Sequence, residues 1–190
     1  MRLPSILGLG VLLVACGGSG NNATPSSKAD VAKAVQRLYS ADKAAAAGVD
    51  SSSSSLESRL RSEETKTVKG QSGSARVTTV IDQEIGSTVT QKIVYTIVYT
   101  GYSSDGLNVF DGTETMTTTQ EVGEGVEQNI QLKGTVTMTG EYSATLVHDV
   151  TLSQSVHGDK VEMKLTGTTD ASGTDFSFSN ESFDVDLSVE

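Results

Sequence analysis

The sequence is poor in aromatic side chains and contains no tryptophan. Aromatic residues make up 5% of its 190 residues, and hydrophobic residues make up 36%. We therefore expect a core of aliphatic side chains and methionine with only a few rings. Aromatic residues interleaved with basic ones are also missing, which excludes a stacking platform for nucleic acid.

Basic residues are the second deficit. The chain has 14 Lys and Arg against 24 Asp and Glu, a formal net charge of −10. The basic residues do not form a cluster, so the sequence lacks the electrostatic footprint that attracts nucleic acid or anionic lipid. We expect an acidic, solvated surface, no nucleic-acid partner and a monomeric body.

Residues with catalytic or metal-binding chemistry are also scarce. His148 and His157 are the two histidines, and a strand rising about 3.3 Å per residue would hold them too far apart for a shared metal ion. His148 has the same parity as Leu146 and Val150, which directs it toward a buried face or its rim. The chain has no Gly-x-Ser-x-Gly elbow and no glycine-rich phosphate loop. We predict no enzymatic activity, no catalytic residue, no metal site and no cofactor.

Three short segments rich in Asp and Gly have the composition of calcium loops. They are Asp105-Gly106, Asp111-Gly112 and residues 170–175. The spacing in each differs from that of an EF-hand or a nonapeptide repeat, and Asp-Gly is first of all a turn former. We interpret them as turns.

The chain contains one cysteine, Cys16. It follows Arg2 and the apolar segment 6–14, which is too short to span a bilayer. A single cysteine has no partner for an intramolecular disulfide. The ending Leu13-Val14-Ala15-Cys16 resembles the lipobox of bacterial lipoprotein precursors. The resemblance implies that residues 1–15 are a signal peptide cut before Cys16, and that the Cys16 thiol and the new amino terminus are acylated.

Acylation would anchor the chain to a membrane, because stable attachment generally needs two lipid chains. Removing residues 1–15 removes Arg2, which leaves 13 basic and 24 acidic residues and a charge of −11. Gly17, rather than Asp, follows Cys16. By resemblance to Gram-negative lipoproteins this favours the outer membrane; in a bacterium with one membrane it implies the outer face of the plasma membrane. Residues 16–27 are rich in Gly, Ser, Asn and Thr and are predicted to be a flexible tether.

A helical segment is predicted over residues 28–66. Ser27 and Asp30 have the spacing of a capping box, and Gly48 supplies a stop. Between them, apolar residues recur at helical spacing: Val31, Ala34, Val35, Leu38, Ala41 and Ala45. Residues 51–55 are serines and favour a linker, whereas the apolar and charged spacing that follows favours a second short helix over 54–64. Both alternatives remain open.

From residue 67 to 190 the sequence changes to a period of two, which is typical of antiparallel strands with one buried face. The clearest run has a mostly apolar face: Val126, Gln128, Ile130, Leu132, Gly134, Val136, Met138, Gly140 and Tyr142. Turn signals divide this region at short intervals, and residues 179–182 are predicted as a last tight turn. The predicted fold is α+β and mainly β: one helix, or two, on a twisted meander of seven to nine strands, curled or closed into a barrel.

Two function classes fit these features. The first is a non-catalytic envelope lipoprotein that presents a Thr-rich sheet to an envelope or extracellular partner. The second is a carrier or receptor for an apolar ligand or lipid, held in a curved sheet under the N-terminal helix. The cavity candidates for the second class are Ile93, Tyr95, Val126, Ile130 and Met138, and a filled core would use the same residues.

Overall fold

The computed structural model describes residues 23–49, 61–85, 89–122, 126–157 and 160–184. One helix, α1, spans Lys28–Ala47. The strands are β1 (Arg61–Lys69), β2 (Ser72–Ile85), β3 (Val89–Ser103), β4 (Val109–Val122), β5 (Val126–Thr139), β6 (Ala144–His157), β7 (Lys160–Ala171) and β8 (Thr174–Asp184).

The capping box at the start of α1 is confirmed. The Ser27 side chain accepts a hydrogen bond from the Asp30 backbone N–H (3.2 Å), and the Ser27 N–H donates to the Asp30 carboxylate (3.2 Å). These bonds satisfy amides that a helix otherwise leaves without partners. Asp30 also places a negative charge in the first turn, where it interacts favourably with the positive end of the helix dipole. Gly48 follows as the C-cap, as the sequence predicts.

All eight strands form one antiparallel sheet in which the spatial order equals the chain order, β1 to β8. The meander and the predicted strand number are therefore confirmed. Each short connection returns the chain beside the strand it has just left. The sheet does not close into a barrel: β1 and β8 are its two edge strands.

Two predictions about local structure are wrong. The second helix over 54–64, one of the two alternatives for this segment, lies partly outside the described residues, but its described end, residues 61–64, belongs to β1 and pairs with β2. The strand region therefore begins at Arg61 and not at residue 67. The predicted turn at 179–182 lies inside β8, where Asn180 adopts a φ of 53° beside a shift in the β7–β8 register.

The core lies between α1 and one face of the sheet. The buried face of α1 consists of Val31, Ala32, Ala34, Val35, Leu38, Ala41, Asp42 and Ala45. The small alanines let the helix approach the sheet, where aliphatic residues of β5 and β6 and a few rings of β3 and β4 fill the space. Among the largest fully buried side chains are Tyr102, Phe110, Ile97, Ile130, Leu132, Met138, Leu146 and Leu152. The predicted core composition, aliphatic with few rings, is confirmed.

Within the described residues, no helix combines the length and the apolar character that crossing a membrane requires.

Candidate functional site

The predicted lipidation residue, Cys16, lies outside the described residues, as do the signal peptide and the tether up to residue 22. His157 is the last residue of β6 and pairs with Lys160. His148 lies in the same strand and is 4% exposed, so its predicted position on the buried face is confirmed.

Four inward-facing positions around His148 form a row across the sheet. Glu114 of β4 lies opposite Gly134 of β5, Gly134 lies opposite His148 of β6, and His148 lies opposite Thr169 of β7. Directly opposed residues of an antiparallel pair point to the same face. The row therefore brings a carboxylate, an imidazole and a hydroxyl to the face that α1 covers.

Glu114 and His148 meet across the intervening strand. His148 Nε2 lies 2.7 Å from Glu114 Oε2, and both side chains are 0% exposed. Gly134 makes this contact possible, because a Cβ at this position would lie 2.6 Å from Glu114 Oε2 and 2.3 Å from the Thr113 carbonyl oxygen. The glycine in the middle of β5 is thus required by the close approach of the β4 backbone and of the Glu114 carboxylate.

Asp42 brings a second buried carboxyl group from the helix. The Tyr99 hydroxyl donates a hydrogen bond of 2.5 Å to Asp42 Oδ1, which joins α1 to β3. Asp42 Oδ2 and His148 Nδ1 have no hydrogen-bond partner among the described residues. We refer to Asp42, Tyr99, Glu114 and His148 together as the buried polar cluster.

Burial determines the protonation of this cluster. Removal from water raises the pKa of Asp42 well above its ordinary value of 3.8, and the neighbouring Glu114 carboxylate raises it further, while the Tyr99 hydrogen bond lowers it. Burial also raises the pKa of Glu114, against the opposing effect of His148. An ionised carboxylate is costly to bury, so the raised pKa values of Asp42 and Glu114 favour the protonated form of each group.

The buried polar cluster has no open approach for a substrate, because its carboxyl groups and imidazole are closed off beneath α1. Over the part of the chain that the structure describes, no three His, Cys, Asp or Glu side chains are grouped as metal ligands. The Tyr99–Asp42 hydrogen bond joins the helix to the sheet, and the carboxyl groups of the cluster can take up or release a proton.

No protein-family model, curated protein or solved structure matches this chain.

The opposite face of the sheet is open over its central strands. A shallow depression of about 680 Å³ lies across β4 to β7. Its outward-facing lining residues are Thr113, Thr115, Lys133, Thr135, Val147, Asp149 and Thr168. The remaining lining residues, Gly112, Gly134 and His148, occupy inward-facing positions of the same strands. We refer to this surface as the outer-face depression.

The outer-face depression combines one exposed apolar side chain with polar side chains that hydrogen-bond to one another. Val147 is 50% exposed. Beside it, Asp149 accepts hydrogen bonds from Lys133 (2.7 Å) and Gln131 (2.8 Å). The Lys133 bond lowers the pKa of Asp149, so that carboxyl group is ionised near neutral pH. Threonine hydroxyls line the rest, which gives a surface suited to contact through hydrogen bonds and methyl groups.

The structure places the five residues proposed to line a carrier cavity in different environments. Ile130 and Met138 are 1% and 0% exposed and belong to the core under α1. Ile93 and Tyr95 are half-buried, and the side chain of Val126 lies outside the described residues.

In the three segments rich in Asp and Gly, the aspartate side chains accept hydrogen bonds at turns and at a strand bulge. Asp105 accepts two backbone N–H bonds and two side-chain bonds within its own loop. Asp111 Oδ1 accepts from the Gly101 N–H (2.7 Å), and Asp170 Oδ1 accepts from the Gly173 N–H (2.7 Å). Their interpretation as turns holds for Asp105 and Asp170, whereas Asp111 lies inside β4.

Sequence reasoning missed Asp42 and Glu114. Both carried a signal: Asp42 lies four residues after Leu38, on the buried stripe of the helix, and Glu114 has the same parity as Phe110 and Met116 in β4. A carboxyl group on an apolar face requires a partner. That partner could not be identified from the sequence, because the cluster joins four elements that are far apart in the chain.

Proposed function

We propose that this chain is an exported bacterial lipoprotein, acylated at Cys16 and held in the cell envelope, that presents the outer face of its sheet to an envelope or extracellular partner. The outer-face depression carries this proposal. Val147 lies exposed in the centre of the sheet among threonines, whereas the opposite face is covered by α1. A rigid sheet with one face buried and one face open is suited to display a surface.

We also propose that the chain is not an enzyme and needs no cofactor. The acid–imidazole pair is the arrangement that most resembles catalytic chemistry, and its 0% exposure supports a structural role. Catalysis at this pair would require α1 to leave the sheet. That would expose the aliphatic core to water, at a cost of about 25 cal/mol for each Å² uncovered.

The location follows from the lipobox. Gly17 after Cys16 supports the outer membrane in a Gram-negative host, or the outer face of the plasma membrane in a host with one membrane. With a charge of −11 on the mature chain, the lipid anchor and not electrostatic attraction would supply the membrane affinity.

The sheet is further proposed to curl around α1. The helix contacts β2 and β3, which lie toward one edge of the sheet, and also β7, which lies toward the other edge. Lys28 at its amino end forms an ion pair with Glu181 in β8 (2.8 Å). A twisted sheet that bends toward the helix would satisfy these contacts.

The alternative function, a carrier for an apolar ligand or lipid, has less support. A carrier needs an open apolar cavity between the helix and the sheet. Ile130 and Met138, two of its candidate lining residues, are instead packed in the core.

Photo-crosslinking in intact host cells tests the presented surface. With benzoyl-phenylalanine at Thr135, in the outer-face depression, we expect a covalent adduct with one envelope protein. Lys33, exposed on the helix and away from the sheet, is the matched control and should give none. Val147→Asp should abolish the adduct formed at position 135. Equal adducts at positions 135 and 33, or none at either, would contradict the proposal.

A further inference from the structure

Leu107 and Val147 are the large apolar side chains that are strongly exposed in the described part of the chain, at 59% and 50%. Val147 lies in the outer-face depression. Leu107 lies in the loop between β3 and β4, on a different part of the molecule. A single exposed leucine needs no explanation by itself. The position and construction of its loop make Leu107 different.

The loop is held in one shape by its own side chains. Asp105 Oδ1 accepts from the backbone N–H groups of Leu107 and Asn108, both at 2.8 Å, and Asp105 Oδ2 accepts from the Asn108 side chain at 2.8 Å. Ser103 Oγ accepts from the Gly106 N–H at 2.8 Å, and Gly106 adopts a φ of 73°, which favours glycine. The loop therefore presents Leu107 from a fixed backbone.

This loop packs beside the point where the N-terminal chain meets the sheet. Asn108 Oδ1 accepts a hydrogen bond from the Glu141 N–H (3.2 Å) in the β5–β6 connection. In the same connection, Tyr142 forms a parallel bridge with Ala23, and the Ser143 N–H donates to the Ala23 carbonyl oxygen (3.1 Å). One connection thus contacts both the loop and the start of the described chain.

The distance from this point to the acylated residue is short. Ala23 follows Cys16 by seven positions, and at about 3.5 Å per residue that chain reaches at most about 25 Å. The opposite ends of the 14-residue strands lie about 46 Å farther away. In an anchored molecule the Leu107 end is therefore the end of the strands that this tether can hold close to the bilayer.

Charge does not oppose this approach. The Asp105 carboxylate is occupied by four donors of its own loop. Glu141 forms an ion pair with Arg37 at 2.9 Å. The hydrogen-bonding capacity of Asp105 is thus filled within its loop and the charge of Glu141 is paired, and a zwitterionic lipid surface adds no like charge.

From these observations we infer that Leu107 is a second, apolar contact with the lipid surface, which holds the tethered end of the sheet against the bilayer that the acyl chains enter. The inference rests on the proposed acylation of Cys16. It also directs the opposite ends of the strands away from the membrane. The strands would then stand upright on the bilayer, and the outer-face depression would face along the plane of the membrane.

The absence of tryptophan allows a direct test. Leu107→Trp introduces a unique fluorophore at the loop, and Val147→Trp places the same fluorophore at a position of similar exposure in the middle of the sheet. Each acylated full-length mature protein is reconstituted into phosphatidylcholine vesicles with and without brominated acyl chains. Vesicle flotation measures anchoring separately. The non-acylated Cys16→Ala forms give the emission of each tryptophan in water.

We expect both proteins to float with the vesicles. Emission from L107W should shift to shorter wavelength and be quenched by brominated lipid at least three-fold more than emission from V147W. If both float and the two tryptophans respond alike, the Leu107 contact is overturned and the anchor stands. If neither protein floats, the acylation proposal fails and the Leu107 contact fails with it.

Discussion

Gly134 shows how one residue fixes the chemistry of the buried face. It is an interruption in the most regular strand of the chain, where a glycine costs conformational entropy and packs no side chain. The space it leaves is occupied by the Glu114 carboxylate on its way to His148. A backbone position in β5 thus permits a contact between β4 and β6.

Gly134→Ala should lower the free energy of unfolding by about 1–3 kcal/mol, because the added Cβ overlaps the Thr113 carbonyl oxygen and the Glu114 carboxylate. Urea denaturation followed by circular dichroism measures the change. Thr135→Ala, at the exposed neighbouring position, should change stability by less than about 0.5 kcal/mol. A similar loss at both positions would contradict the close approach at Gly134.

The buried Asp42 carboxyl group makes the free energy of unfolding decrease as the pH rises. Its pKa is raised in the folded state, so folding favours the protonated form. The stability linked to this proton is fully present below the ordinary value of 3.8 and is lost as the pH rises from there through the raised folded value.

Asp42→Asn removes this titration and keeps an oxygen for the Tyr99 hydroxyl. We expect the variant to gain stability relative to the parent as the pH rises, by up to about 1.4 kcal/mol per pH unit inside that window. Urea denaturation between pH 4 and neutral pH, at constant salt concentration, measures both proteins. Parallel pH profiles would show that Asp42 ionises in the folded state as it does in water.

At the scale of the elements, local signals predicted most of the fold. The period of two predicted β5, and the spacing of Ser27 and Asp30 predicted the start of α1, because both signals act within a few residues. β1 was missed because it is a polar edge strand whose pairing with β2 decides its structure. The sequence predicts a turn at Asn180, because asparagine is favoured at left-handed positions both in turns and in strand bulges.

The candidate site was less predictable for the same physical reason. Parity correctly directed His148 to the buried face, which needs only its neighbours in β6. The contact with Glu114 depends on the register of three strands, and the contact of Tyr99 with Asp42 depends on how α1 lies on the sheet. Such contacts arise from tertiary packing and leave no local pattern.

Strand parity itself can be tested within β5. Ile130→Asp places a carboxylate in the core and should cost several kcal/mol unless the group is protonated or paired. Asn129→Asp is the matched control: it adds the same charge one residue earlier, on the exposed face, and keeps the oxygen that accepts from Ser153. Thermal unfolding followed by circular dichroism should separate the two variants clearly. Equal effects would contradict the assigned faces of the sheet.

At the scale of the whole molecule, we propose that the chain combines a displayed sheet with a lipid anchor at one end. Ala23 enters beside the β5–β6 connection, and the outer-face depression lies across the middle of the strands. If Cys16 is acylated, the seven positions between it and Ala23 would limit the height of the depression above the membrane. The helix covers the other face, so a partner would meet the exposed face of the sheet and not the core.

The acylation of Cys16 is the claim on which this account depends most. The direct measurement compares the parent and Cys16→Ala in the native host, by detergent-phase partitioning and by the intact mass of the purified chain. We predict that the parent lacks residues 1–15, carries acyl chains on Cys16 and partitions into the detergent phase, whereas the variant keeps its signal peptide or remains in the aqueous phase. A parent without lipid mass, or a variant that partitions like the parent, would contradict the account.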